Sequence, residues 1–256
     1  MHRKSRMFLV LAASTMVGVV APVLADEPAP SAQAQPQTRP SRPVEQQLNA
    51  AADGMKNRAP QAAQVVEQGI AAVAATDVVN DAPKVGDKAD LFELPDASGK
   101  TVKLADLLAK GPVVLTWYRG GWCPFCNIAL HGMVEAEPTI RGLGATLVAI
   151  SPETPDSAAE TIKADDLKFE VLSDRGNRVA HNYCIVYTVP DKVLGAMKSH
   201  KVDLEKRNGD ASGELPLAVT YVIDQDRTIR WAFVSADYRK RAEPSDVITA
   251  LRALKH

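Results

Sequence analysis

Cys123 and Cys126, separated by Pro124 and Phe125, are the residues of this chain best suited to chemistry, and they stand inside the stretch WYRGGWCPFCNIAL, residues 117–130. The apolar, β-branched run Val113-Val114-Leu115-Thr116 before it, bounded by Gly111-Pro112, reads as a buried strand. After it, Ile128, Met133, Ala136 and Ile140 recur at roughly helical spacing until Gly142 and Gly144 close the segment. Cys123 therefore falls at a strand-to-helix junction. The unpaired amides of a first helical turn and the positive end of the helix dipole favour a thiolate there, and cysteine pKa values of about 3.5 to 7.5 arise in such settings. Pro124 suits the first helical position. Cys126 lies about one turn further on the same face, so the pair can close a short disulfide and reopen it. A permanent structural bridge is the competing reading, but so short a loop constrains the unfolded chain little. Arg119, four residues before Cys123, is a cation able to stabilise the thiolate, with a surface ion pair as its alternative.

The elements that position this stretch follow from the rest of the chain. Asp90–Leu94 and Thr101–Leu104 with a turn at 96–99 predict a hairpin, and 105–110 a short helix. Ala145–Ser151 and Phe169–Leu172 read as further buried strands, with a helix over Asp156–Asp165 capped by Asp156 between them. Strands separated by helices argue for parallel pairing covered on both faces. Val219–Asp224 and Ile229–Val234 predict an antiparallel hairpin, and Asp246–Leu254 a closing amphipathic helix. Residues 44–80 form a helical extension, with Val65, Val66, Ile70 and Val73 on one stripe and Pro60 dividing two helices. That stripe docks either on the domain or on a second subunit, the latter giving a homodimer.

At the start of the chain, basic residues precede an apolar core from Met7 to Val20, and Val23-Leu24-Ala25 offers small residues for cleavage. This predicts a signal peptide over 1–25, export to the periplasm or beyond, and a spacer of Pro, Ala, Gln and Ser over 26–43. An uncleaved anchor is the alternative, although the apolar run is short for a span of about 20 residues. Loss of Arg3, Lys4 and Arg6 would move the formal charge from −1 to −4, which is not the footprint of a nucleic-acid binder.

With these residues in place, the chain resembles the peroxiredoxins, in particular the peroxiredoxin-like branch of the alkyl hydroperoxide reductase and thiol-specific antioxidant family. The resemblance runs from about Val85 to Leu254 through KVGDKADLFELPDASGKTVKLADLL, GPVVLTWYRGGWCPFCNIAL, GATLVAISPETPD, VLSDRGN and TYVID. It implies a three-layer α/β, thioredoxin-like fold over 81–256 and places the peroxide-reactive cysteine at Cys123. It further implies a hydroperoxide substrate, a thioredoxin-like reductant, and no metal or organic cofactor. A sulfenic acid on Cys123 would condense with the nearest thiol, which makes Cys126 the resolving residue. Arg119 would assist the thiolate or the leaving peroxide oxygen. The chain departs from the family at Thr116 and Gly120, where many members carry Pro and a hydroxyl residue. The active-site proline of thioredoxins would align with Ala218, two residues beyond Pro216. These departures keep a dithiol–disulfide oxidoreductase acting on protein thiols as the alternative activity.

Of the remaining candidates, Cys184 is expected to be a packed core cysteine. His181-x-x-Cys184 could join the Cys123/Cys126 pair at zinc, but the strand and helix flanking that pair are unlike a zinc knuckle. His131 falls off the Cys123 face and Thr188-Val189-Pro190 reads as a turn opening a helix. No paired carboxylates or phosphate-cradling glycine loop appear.

Overall fold

The computed structural model describes residues 42–254; the expected signal peptide, and the spacer up to residue 41, lie outside the described residues. Five strands form the central sheet: β3 (Val113–Trp117), β4 (Thr146–Ser151), β5 (Glu170–Ser173), β8 (Ala218–Ile223) and β9 (Ile229–Ser235), in the order β5-β4-β3-β8-β9. β3, β4 and β5 run parallel, while β8 is antiparallel to both β3 and β9. The unbroken apolar runs of β3 and β4 follow from this: both strands are covered on both faces.

Alternation along the strands divides the core. Val113, Leu115, Trp117, Ile150, Leu172, Val219 and Tyr221 point to one face. There they meet α4 (Leu104–Leu108), α7 (Arg178–Asn182) and the small hairpin of β1 (Glu93–Pro95) and β2 (Thr101–Lys103). Val114, Leu147, Ala149, Val171 and Val222 point to the other face, against α5 (Pro124–Gly142), α6 (Pro155–Ala164) and α10 (Pro244–Arg252). The result is the three-layer arrangement expected from the sequence. A second small pair, β6 (Val186–Thr188) with β7 (Glu214–Pro216), lies between α7 and β8 in sequence and brackets α8 (Asp191–Ser199) and α9 (Leu204–Asn208).

Two local expectations are corrected. α6 is capped by Thr154, whose hydroxyl accepts the Ser157 amide, and Asp156 sits inside the first turn. Pro155 takes the first helical position, which moves the cap one residue before it. Cys184 is exposed rather than packed in the core. It ends the α7 turn with φ +53, a left-handed backbone that carries its side chain away from the buried neighbours Tyr183 and Ile185.

The extension begins at Pro43. α1 (Pro43–Arg58) and α2 (Pro60–Ala74) are parted at Ala59-Pro60, followed by a single turn, α3 (Val78–Asp81). Both helices dock on the domain itself. Val44 and Leu48 of α1 are buried in the cluster beneath the start of α5. Gly69 of α2 lies so close to α8 that a Cβ there would stand 2.5 Å from Val193 Cγ2. Glu243 fixes the first turn of α1 from the far end of the chain, its carboxylate accepting the amides of Val44 and Glu45 at 3.3 and 3.0 Å.

Candidate active site

β3 delivers the chain to Tyr118 and Arg119, both buried, and a loop of three residues then turns it into α5. That loop is pinned from several sides. The Gly121 amide donates to Glu153 Oε2 at 3.1 Å, and Asn127 Nδ2 donates to the Gly121 carbonyl at 2.9 Å. Gly120 has φ +146, and a Cβ on it would lie 2.2 Å from Trp122 Nε1. Its lack of a side chain is thus a condition of the loop, and no hydroxyl residue fits at this position without moving Trp122.

Cys123 is the N-cap of α5 and Pro124 its first residue. The Cys126 and Asn127 amides close on the Cys123 carbonyl at 2.9 and 3.1 Å, which brings the two cysteines one turn apart. Both thiols are free, and Cys123 is 1% and Cys126 0% exposed. The structure thus places Cys123, Cys126 and Arg119 together. Arg119 Nη1 lies 3.8 Å from Cys123 Sγ, and the Arg119 amide 3.4 Å from Cys126 Sγ. The Arg119 guanidinium sits between aromatic faces, 3.8 Å from the Tyr238 ring centre and 4.9 Å from that of Trp122. Among the described residues it has no carboxylate partner, so it is not a surface ion pair.

Burial alone would push both thiols up. For Cys123 that is overcome by the hydrogen bond from Cys126 and the charges of Arg119 and Arg241, which hold it well below the usual thiol range. For Cys126, burial and the bond to Cys123 prevail over Arg241, so its proton is retained. The same surroundings thus favour ionisation of Cys123, the sulfur at the helix end, over that of Cys126. This is a nucleophile beside a cation, with a second thiol in reach of any group formed on the first.

Sequence reasoning missed three contributors. Arg241, 9% exposed, donates from Nη2 to Cys126 Sγ at 3.0 Å, from Nε to the Tyr238 carbonyl at 2.8 Å, and from Nη1 to the Trp117 carbonyl at 3.4 Å. Tyr238 covers Arg119. Glu153, buried, accepts from Gly121 and from Thr161 Oγ1 at 3.2 Å and pairs with Arg207 at 3.2 Å; burial raises its pKa against those partners. Glu153 lies in a motif the sequence displayed, SPETPD, but the Arg241–Cys126 contact joins residues 115 positions apart and leaves no periodic signal. His131, given no role, faces Asp165 at 3.3 Å, and His181 pairs with Glu214 at 2.8 Å.

The extension covers this centre. Val66, Ile70 and Val73 of α2 roof a cavity of about 20 Å³ whose inner wall is Arg119, Tyr187 and Tyr238. That volume holds about one water-sized molecule. Glu67 of α2 grips Arg239 with two contacts, at 2.6 and 3.1 Å, in the same loop that carries Tyr238 and Arg241.

Comparison with known proteins places the fold and the family. The chain is 30% identical over 103 residues to the thiol-disulfide oxidoreductase ResA of Bacillus cereus, spanning 40% of this chain and 58% of that protein. The fold is similar to that of the peroxidoxin BcpB of Mycobacterium tuberculosis, with a TM-score of 0.53 at 24% identity over 68% of this chain and 99% of the other. It is similar also to that of the bacterioferritin comigratory protein of Xanthomonas campestris, with a TM-score of 0.51 at 13% identity over 65% and 98% of the two chains. Residues 85–232, from just before the hairpin to the middle of β9, match the AhpC/TSA family; the chain belongs to that family, as a peroxiredoxin-like member of the thioredoxin-like superfamily.

Proposed function

We propose that the protein is a thiol-dependent peroxidase. The observation that carries this is the Cys123 sulfur at the end of α5, set 3.8 Å from a buried guanidinium with a second thiol one turn away. The Cys123 thiolate attacks the outer peroxide oxygen; the O–O bond breaks, and alcohol or water leaves with a proton from solvent. Arg119 stabilises the charge as it moves from sulfur to the departing oxygen. Cys126 then attacks the sulfenic acid, forming the disulfide and releasing water. A thioredoxin-like dithiol reopens it and supplies two electrons. In Cys126→Ser protein, one equivalent of peroxide should leave a sulfenic acid on Cys123, read by mass spectrometry. Cys123→Ser should consume none.

A second reading, disulfide exchange with protein thiols, is favoured by Gly120, which offers peroxide no hydroxyl, and by the similarity to ResA. Faster reaction with insulin disulfides than with any peroxide would select it. The reading as a peroxidase includes work outside the cytoplasm, supported by the basic, apolar and small-residue pattern of residues 1–25. Amino-terminal sequencing of protein from the native host should begin near Asp26, and a mature chain that keeps Met1–Ala25 would remove that part.

A further inference from the structure

We propose that Arg241 is a second catalytic residue: it receives the negative charge when that charge passes from Cys123 to Cys126, and so governs disulfide closure and reopening. This rests on the dithiol chemistry proposed above, and it assigns the partner of the resolving sulfur.

Among the described residues, Arg241 and Arg119 are buried cations with no carboxylate in ion-pair range. A buried charge without a partner is costly, and each of these two guanidiniums is hydrogen-bonded to one of the two thiols. Each cation faces one sulfur. Arg241 is also aimed: its Nε and Nη1 are held by the Tyr238 and Trp117 carbonyls, which leaves Nη2 directed at Cys126 Sγ, 3.0 Å away. The Arg119 amide donates to the same sulfur from the other side at 3.4 Å. Two donors thus converge on a sulfur that keeps its proton while Cys123 is ionised.

The purpose of that arrangement appears once Cys123 has reacted. A sulfenic acid is neutral, so the anion that opposed ionisation of Cys126 is gone, while Arg241 and the Arg119 amide remain in place. Cys126 gives up its proton to solvent. Its thiolate attacks Cys123 Sγ, the S–S bond forms, the S–O bond breaks, and hydroxide leaves to take up a proton as water. In reopening, a thiolate of the reducing dithiol attacks Cys123 Sγ, and the electron pair of the broken S–S bond goes to Cys126, where Arg241 faces it. The second thiol of the reductant then displaces Cys123, and two electrons have been transferred. Arg241 serves the same atom in both directions, as nucleophile and as leaving group.

Arg241→Gln tests this. Stopped-flow separation of the two steps should show disulfide closure slowed by about tenfold to hundredfold, as for loss of a hydrogen bond to a charged group, with sulfenic acid formation slowed by only about threefold. Equilibration with a dithiothreitol redox buffer should show the pair shifted tenfold to hundredfold toward the disulfide, about 30 to 60 mV more negative. That titration uses no peroxide, so it reports on Arg241 even if the peroxidase reading fails. Should Arg241→Gln not fold, Arg241→Lys keeps a charge while losing the two carbonyls that aim it, and closure should still slow more than the peroxide step. In either folded variant, unchanged closure and an unchanged potential overturn the proposal, as does equal slowing of both steps with no shift in the potential.

Discussion

At the residue scale, Gly120 fixes the loop that leads into Cys123. Restoring a hydroxyl there by Gly120→Thr should not improve peroxide turnover. The φ of +146 and the Trp122 indole, 2.2 Å from any added Cβ, oppose it, and the substitution should cost about 1–3 kcal/mol and lower activity, checked by thermal unfolding and peroxide kinetics. Cys123 carries a pH prediction. Its pKa is depressed by the Cys126 hydrogen bond and the two arginines, so the thiolate forms below the ordinary thiol range. Peroxide reactivity should rise with pH and reach its plateau before about 8.5, the pKa of a free cysteine. A plateau above that value would show that the cations do not act on Cys123. Cys184, exposed and outside the cysteine cluster, should be dispensable: Cys184→Ala should keep turnover and change stability by roughly 0.5 kcal/mol or less. The cysteines, Pro124 and Arg119 were legible in sequence because junction chemistry is local. Arg241 and Tyr238 were not, since Arg241 meets Cys126 and Tyr238 meets Arg119 only through the register of β9 and the turn that follows it.

The helix pair α1–α2 is the element that packs over the site from outside the family domain. It was visible as two helices divided at Pro60, but a stripe of Val65, Val66, Ile70 and Val73 does not say what it covers. In the structure Val66, Ile70 and Val73 close over Arg119 and Tyr238. Gly69→Val should push α2 away from α8, because Val193 already occupies the space of the new side chain. The expected outcome is faster alkylation of Cys123 by iodoacetamide in the reduced protein, with a loss of about 1–3 kcal/mol in stability from overpacking. Alkylation at the parent rate would mean that α2 does not control entry. The sheet strands were easier to read, since burial on both faces leaves unbroken apolar runs in β3 and β4. The cap of α6 was misplaced because Thr154 and Asp156 flank Pro155 and both are good cap residues; only the Ser157 amide distinguishes them.

At the scale of the whole described chain, residues 42–254 are tied together by contacts between α1 and the segment that opens α10. Removing residues 1–82 should destabilise the domain, because burial of Val44 and Leu48 alone contributes about 1.5–3 kcal/mol each; the midpoint of urea unfolding measures the loss. Linkage supplies a second test. A thiol whose folded pKa is depressed contributes stability that is present above its unfolded pKa and lost as the pH falls through the folded value. The melting temperature of the reduced protein should therefore gain on that of Cys123→Ser as the pH rises toward about 8.5. Cys126, shifted upward, begins to oppose this only above that range. The carboxylate of Glu243 reaches the amides of Val44 and Glu45 across 199 and 198 positions of sequence, and Arg241, two residues before it, donates to Cys126 Sγ. A chain emerging from synthesis thus carries α1, α2, Arg119 and Cys123 well before it carries Tyr238, Arg241 and Glu243. The second cation therefore meets Cys126 only once β9 and the turn after it have been laid beside β3, so the site is completed by long-range folding and not within its own stretch of chain.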